Sequence, residues 1–160
     1  MIMDRHSAPA MAMAMNILGN RDDAEDACQE AFIQAYLNLA RFDLEKSFKN
    51  WFYAILYRRC LDQLRRRRRS FVLINKVQRE YPQVQAADPD PSSRAFGLPS
   101  RLLQYLKPKE RAVLCLWANE GYTSQEISKV LHCSSSTARV YLFQARKKIK
   151  KRLETENASM

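Results

Sequence analysis

Apolar residues recur along this chain mainly at three- and four-residue intervals, the spacing that lines them up on one side of an α-helix. The clearest case is the segment TSQEISKVLHCSSSTARVYLFQARKKIKKRL in the last third. Thr123 opens it with T-x-x-E: the hydroxyl is placed to accept the backbone N–H of Glu126, and the Glu126 carboxylate to accept that of Thr123. Ile127, Val130 and Leu131 then form an apolar stripe, His132–Cys133 predict a short turn, and Ser134 is a natural N-cap. In the helix that follows, Ala138, Leu142, Ala145 and Ile149 share one buried face, while Ser135, Ser136, Arg139, Val140, Phe143, Arg146 and Lys147 lie opposite. A short helix bracing a longer one, with a basic, hydroxyl-bearing face outward, suits insertion into a DNA major groove.

The same periodicity organises the rest. Residues 8–18 predict a helix ended by Gly19, and Asp22, with Glu25 three residues on, predicts the cap of a second helix running to about Leu39. That helix is expected to bury Ala24, Cys28, Ala31, Ala35 and Leu39, flanked by Phe32 and Tyr36. RFDLEKS breaks the pattern, and a long helix begins near Ser47 and runs into the arginines. These three helices predict a first domain over residues 1–69. Residues 70–98, with Pro82, Pro89, Pro91, paired serines and Gly97, predict a flexible linker with a helical continuation around Val72–Val77. The second domain, 99–153, should hold a helix near Ser100–Leu106, another from Pro108 to Asn119 ended by Gly121, and the helix-turn-helix pair, with 154–160 as a tail. The fold class is therefore all-α: two small helical domains, of three helices and four.

Charge changes the picture because it is unevenly placed. The 160 residues carry a formal net charge of +10, which favours a polyanionic partner. Residues 1–47 are acidic, with four basic and eight acidic side chains; residues 48–69 are basic, with eight against one. Residues 70–98 balance at three each, and residues 99–160 are basic again, with twelve against five. Cys28, Cys60, Cys115 and Cys133 stand singly, with no C-x-x-C pair and only His6 and His132 beside them, so no metal site is predicted and a reducing, cytoplasmic setting is the simplest expectation. The apolar run APAMAMAMNILG follows Asp4 as well as Arg5 and reads as a packing helix rather than a signal peptide. No run approaches the roughly 20 apolar residues needed to span a bilayer. Nothing predicts catalysis either: no nucleophile–base pairing, phosphate loop or cofactor motif is visible.

Two separated stretches carry a resemblance. DDAEDACQEAFIQAYLNLARFDLEKSFKNWFYAILYRRCLDQLRRRRR resembles the second conserved region of bacterial sigma factors, and LKPKERAVLCLWANEGYTSQEISKVLHCSSSTARVYLFQARKKI their fourth. With these two regions and a short linker the chain resembles the extracytoplasmic-function (group IV) sigma factors of the sigma-70 family. The helix-turn-helix alone would equally fit a stand-alone regulator of the LuxR output type; A-E-D-x-x-Q-E, F-x-x-W and D-x-L-R-R in one chain do not.

The resemblance implies a promoter-specificity subunit whose partners are core RNA polymerase, through the clamp of its largest subunit and the flap of the second, and promoter DNA, with room for an anti-sigma factor and no small-molecule substrate. It implies that Asp26, Gln29 and Glu30 dock on the clamp coiled coil. It places a loop that accepts an extruded −10 base at 41–47, where Arg41, Asp43, Glu45, Lys46 and Ser47 offer polar groups and Phe42 and Phe48 an aromatic wall. Asn50, Trp51, Arg58, Arg59, Arg65 and Arg66 extend that −10 set, the arginines as phosphate contacts. For the −35 element the expected contacts are Ser135, Ser136, Thr137, Arg139, Val140, Phe143, Arg146 and Lys147, with Lys148, Lys150 and Lys151 on phosphates. Arg58 stands where the family usually has Asn, His132 where it has Gly in the turn, and Gln144 where Arg is common. The two promoter elements lie about 17 base pairs apart, roughly 58 Å at 3.4 Å per pair. A 29-residue linker spans at most roughly 100 Å.

Overall fold

The computed structural model describes residues 2–78 and 100–159, with side chains over 4–74 and 101–159, and every regular element among them is helical. Helix α1 is Ile2–Leu18, α2 Arg21–Asn38 and α3 Phe48–Gln78; a 3-10 turn at Leu39–Arg41 follows α2. The second unit comprises α4 (Ser100–Leu103), α5 (Pro108–Glu120), α6 (Ser124–Leu131) and α7 (Ser135–Ala158).

The end signals act largely as the side chains dictate. Gly19 and Gly121 adopt left-handed φ of +67° and +66°, and the Gly19 N–H closes α1 by donating to the Met15 carbonyl at 2.8 Å. Thr123 and Glu126 form the reciprocal box: Glu126 N–H donates to Thr123 Oγ1 (3.3 Å) and Thr123 N–H to Glu126 Oε1 (3.2 Å). Ser134 caps α7 by accepting the Thr137 N–H at 3.1 Å. Four expectations need correction. Helix α1 starts at Ile2, six residues before the predicted 8–18. The cap of α2 is Asn20, which accepts the Asp23 N–H at 3.0 Å, because Asp22 already lies within the first turn. Leu39 and Tyr36 are exposed, Tyr36 by 79%, because Leu39 has left the α-helix for the 3-10 turn and Tyr36 faces away from α3. Helix α4 ends at Leu103 rather than near 106, since the chain turns there to seat Leu106 in the core. Helix α3 continues to Gln78, so residues 70–78 of the expected 70–98 linker are helical, with the continuation foreseen around Val72–Val77. Helix α7 runs to Ala158, through most of the expected tail, and residues 79–98 of the linker lie outside the described residues.

Packing starts from small residues. Ala24, Ala27, Ala31 and Ala35 present an almost side-chain-free face of α2, which lets the aromatic face of α3 approach closely. Phe52 is fully buried there, stacked on Phe32 at 4.7 Å between ring centroids, while the fully buried Tyr53 turns toward Tyr122 and Glu120 of the second unit. Helix α1 closes this triad and also packs on α5, while α3 packs on α6. One apolar core therefore runs through both units, joining Met13, Ile17 and Leu56 to Val113, Leu116, Ile127 and Val130. A smaller cluster of Leu102, Leu103, Leu106, Leu114, Ala145 and Ile149 secures α4 and α5 to α7.

Glu110 is fully buried at the start of α5, where Oε1 accepts from Lys107 N–H (3.2 Å) and from Lys148 Nζ (2.7 Å). Lys148, expected among the phosphate-binding lysines, is thus paired with a buried carboxylate while its own side chain stays 40% exposed.

A shared core predicts shared melting. Trp51 reports on the first unit and Trp117 on the second, so single-tryptophan variants (W117F and W51F) should give the same urea midpoint in the full chain. Leu116→Ala, which empties a fully buried site, should lower both midpoints together by about 2–5 kcal/mol of stability.

Candidate nucleic-acid interface

Two hollows open on the outer surface of α2 and α3. The smaller, about 290 Å³, is lined by Gln34, Asn38, Arg41, Trp51, Ile55, Arg58 and Arg59. The larger, about 670 Å³, is lined by Lys46, Ser47, Asn50, Trp51, Ile55 and Arg58 from the first unit and by Lys129 and His132 from the second, with Glu45 and Ala54 completing it. Trp51 and Ile55, one turn apart on α3, form the ridge between them. The Trp51 ring is half-buried and rests against Phe42 (4.8 Å) and Phe48 (5.7 Å), so the loop after α2 is anchored by an aromatic cluster. The loop itself is shaped by Asp43, whose Oδ1 accepts the Glu45 N–H at 3.0 Å and whose carbonyl accepts that of Lys46. Ser47 Oγ accepts the Asn50 N–H at 3.3 Å and starts α3.

The structure therefore brings Arg41, Lys46, Ser47, Asn50, Trp51, Arg58 and Arg59 to one surface, and leaves Arg65 and Arg66 outside it. Arg65 pairs with Asp62 (3.2 Å), Arg66 with Glu30 (3.0 Å), and Arg67 with Asp23. Arg59 also reaches Asp62, at 3.4 Å. Gln34, Asn38 and Ile55 line the smaller hollow without having been picked out. The signal was available, since 34, 38 and 41 climb α2 and its 3-10 extension in steps of about one turn, as 51, 55 and 58 do on α3.

A second exposed feature runs along α2. Asp26, Gln29 and Glu30 share a stripe with Ile33 and Leu37, which are 57% and 66% exposed. Two large apolar side chains on an otherwise polar face are the mark of a docking surface, and periodicity analysis passes over them because they do not belong to the buried stripe.

On α7 the expected reading face is open. Ser136, Arg139, Val140, Phe143, Arg146 and Lys147 are exposed, Phe143 by 66%, and Ser135 and Thr137 are half-buried in the first turn. Arg146 lies over the Trp117 ring at 4.9 Å, so its guanidinium is held by α5 as well as offered to solvent. His132, at the turn between α6 and α7, takes a left-handed φ of +53° and contacts the Arg58 guanidinium. Partial burial, then the Arg58 charge, hold its imidazole below the usual histidine range. Among the described residues no cluster of His, Cys, Asp or Glu could hold a metal, and no helix is long and apolar enough to cross a membrane. The chemistry on offer is basic, aromatic and hydrogen-bonding: equipment for holding a nucleic acid.

Comparison with known proteins agrees with this geometry. Residues 2–70 match the family description Sigma-70 region 2, and residues 100–149 match Sigma-70, region 4. The chain is 28% identical over 162 residues to the ECF RNA polymerase sigma factor SigW of Bacillus subtilis, covering 95% of this chain and 87% of that protein. It is 30% identical over 144 residues to a probable RNA polymerase sigma factor of Haemophilus influenzae, covering 78% and 74%. Its fold is similar to that of the sigma factor RpoE of Bartonella quintana, solved in complex with the anti-sigma factor NepR, with a TM-score of 0.72, 19% identity and 96% of each chain covered.

The site also has a chemical handle. Burial raises the thiols of Cys60 and Cys115 and pushes that of Cys28 up to about 11. Partial burial also raises that of Cys133, offset in part by the Lys109 charge, but Cys133 alone of the four is open to solvent. A thiol reagent at pH 8 should therefore modify Cys133 well before the other three in the folded protein, and Cys133→Ser should remove that fast phase.

Proposed function

The chain belongs to the sigma-70 family of RNA polymerase sigma factors, of the extracytoplasmic-function type, and from that premise we propose how its two units share the work. A sigma factor directs core RNA polymerase to promoters and starts transcription there. In this reading the first unit, over 1–69, captures the −10 element: an extruded base enters the hollows beside Trp51, where Asn50, Ser47, Gln34 and Asn38 offer hydrogen bonds and the aromatic ridge offers stacking. Arg41, Lys46, Arg58 and Arg59 neutralise the flanking phosphates. Arg65 and Arg66 join them by exchanging exposed carboxylates for phosphates, since such surface pairs contribute only about 0–1 kcal/mol each.

The second unit, over 99–153, sets α7 in the major groove of the −35 duplex. Arg139 is suited to a guanine edge, Val140 and Phe143 to thymine methyl groups, and Ser135, Ser136, Thr137, Arg146 and Lys147 to the backbone and flanking bases. The Asp26–Leu37 stripe of α2 docks on the polymerase clamp, with Ile33 and Leu37 as apolar anchors among polar contacts. The observation that carries this assignment is the presence in one chain of two separate basic faces, one beside an aromatic hollow and one on a supported helix. A stand-alone regulator is not favoured, because it leaves the first unit without a task. Sigma factors are typically not enzymes, and we read this chain as one that works by binding alone, in the cytoplasm, where an anti-sigma factor of the kind seen with its structural relative would find it.

Core polymerase supplied with the full chain should initiate transcription in vitro from a promoter recovered by mapping start sites in cells overproducing the protein. Absence of any promoter-dependent product would refute the assignment. Within that assay, Ile33→Asp with Leu37→Asp should weaken polymerase binding at least about tenfold while leaving helicity unchanged. For the −35 face, Arg139→Ala should cost about 1–3 kcal/mol and relax preference at one base pair. Lys147→Ala should instead weaken all sequences alike and reduce the salt slope by about one.

A further inference from the structure

Arg146 stands on the border between two surfaces. On one side lies the reading face of α7, where a hollow of about 590 Å³ is lined by Arg139, Phe143, Arg146, Lys147 and Lys150. On the other, a groove of about 490 Å³ runs between α5 and the far half of α7, with Leu114, Trp117, Ile149 and Leu153 along it and Arg146 at its edge. We propose that Trp117 is a positioning residue for −35 recognition: its ring holds the Arg146 guanidinium at the rim of the reading face, so that this arginine meets DNA already oriented. The proposal rests on the assignment of α7 to the −35 duplex; the contact between ring and guanidinium does not.

Helical phase puts Arg146 on that border. Arg139, Phe143, Arg146 and Lys150 recur at steps of four, three and four residues and so line up along α7. Ile149 and Leu153 belong to the adjoining line, on the side of α5. Lys147, one residue past Arg146, is turned about 100° from it and lines the reading face but not the groove. Trp117 comes from the opposite wall. Helix α5 buries Ala112, Val113, Leu114, Cys115 and Leu116, whereas Trp117, next in the chain, is 41% exposed and stands outside both apolar clusters. The ring is not core filling. What it covers is Arg146, whose guanidinium carbon lies 4.9 Å from the ring centroid, within the roughly 6 Å reach of cation–π attraction.

The way the arginine is held matters. An ion pair occupies the N–H groups of a guanidinium, as Glu30 does for Arg66 at 3.0 and 3.5 Å, and those donors must be released before a phosphate can use them. An aromatic ring attracts the delocalised charge with its π face and leaves the N–H groups for a phosphate or a base edge. Trp117 thus narrows the conformations of a long side chain without using up its donors, which lowers the ordering cost met on binding. Lys147, turned away from α5, serves as the internal control.

The test measures the full chain, with saturating core polymerase, on a fluorescent promoter fragment recovered by start-site mapping, over a series of salt concentrations. Arg146→Gln should weaken binding and lower the salt slope by about one. Trp117→Leu should weaken binding about two- to fivefold in the native background and leave it unchanged once Arg146→Gln is present. Trp117→Phe, which keeps a ring, should recover part of that loss. Lys147→Gln should cost the same with Trp or Leu at position 117, whereas a tilted α7 would alter the contribution of both basic residues. An equal effect of Trp117→Leu in both backgrounds would overturn the positioning role, because the ring would then act through packing or a polymerase contact. Tighter binding by Trp117→Leu would sink it as well, the ring then restraining the arginine from DNA. Arg146→Gln without effect would instead refute the assignment of Arg146 to the duplex, the reading on which the proposal rests.

Discussion

Close approach between the alanine face of α2 and the aromatic face of α3 is the contact on which the other elements rely. Because Ala24, Ala27, Ala31 and Ala35 contribute almost no bulk, the Phe52 ring, stacked on Phe32, fills the space between the helices. Full burial of one such ring contributes about 1.5–3 kcal/mol of apolar transfer free energy. The same rings set the outer surface. With Phe52 turned inward, Trp51 one residue earlier is left at the boundary, where it meets Phe42 and Phe48 and becomes the ridge between the two hollows. With Tyr53 inward, its hydroxyl reaches Glu120 across the seam. Core and surface are thus two readings of one helical phase, and a one-residue slip of α3 would lose both.

Electrostatics divides the arginines into two populations. Beside the hollows Arg58 meets the His132 imidazole rather than a carboxylate and Arg59 reaches Asp62, while in the arginine run Arg65, Arg66 and Arg67 are matched to Asp62, Glu30 and Asp23. The acidic character of residues 1–47 thereby finds a structural role: it neutralises part of the arginine run within the fold. Glu30 lies on the same α2 stripe as Asp26 and Gln29, so an arginine that leaves it for a phosphate also alters the charge of the face assigned to polymerase. The two binding events are linked through one side chain, in a direction set by simple charge balance: releasing Glu30 makes that stripe more negative.

What the sequence makes legible depends on the range of the interaction. Local signals hold well: the Thr123–Glu126 box, the Ser134 cap and the glycine ends at 19 and 121 need only neighbouring residues to act. Local ambiguity accounts for the misplaced cap, because Asn20 and Asp22 are both good capping types and only the start of the helix decides between them. Periodicity identified the buried faces of α2 and α7 but not what covers them. Ala27 joins the predicted α2 stripe, whereas Leu39 falls off it where the helix tightens into a 3-10 turn and Tyr36, still within α2, is exposed. The resemblance supplied most of the site residues; it could not supply the seam between α1, α3, α5 and α6, since its contacts join residues as far apart as Asn16 and Cys115. Lys148 shows the same limit, as a lysine among lysines whose partner, Glu110, is 38 positions away.

The turn at His132 shows how the local and the distant terms meet. A side-chain-bearing residue at a φ of +53° is disfavoured relative to glycine by roughly 1–2 kcal/mol. A family that usually places Gly there avoids this, so the imidazole persists against a local preference. Its measurable return in the structure is contact with Arg58, whose own position departs from the family's Asn. Reverting either residue alone removes the contact but has opposite local effects: Gly relieves the turn, whereas Asn takes a cation from the hollow. The double reversion should therefore differ from the sum of the single ones, and the size of that difference is the coupling between the turn that presents the −35 helix and the helix that carries Trp51. A coupling near zero would mean that the two departures are neighbours without being partners. A favourable one would mean that the local strain at His132 is held in place by an interaction between units.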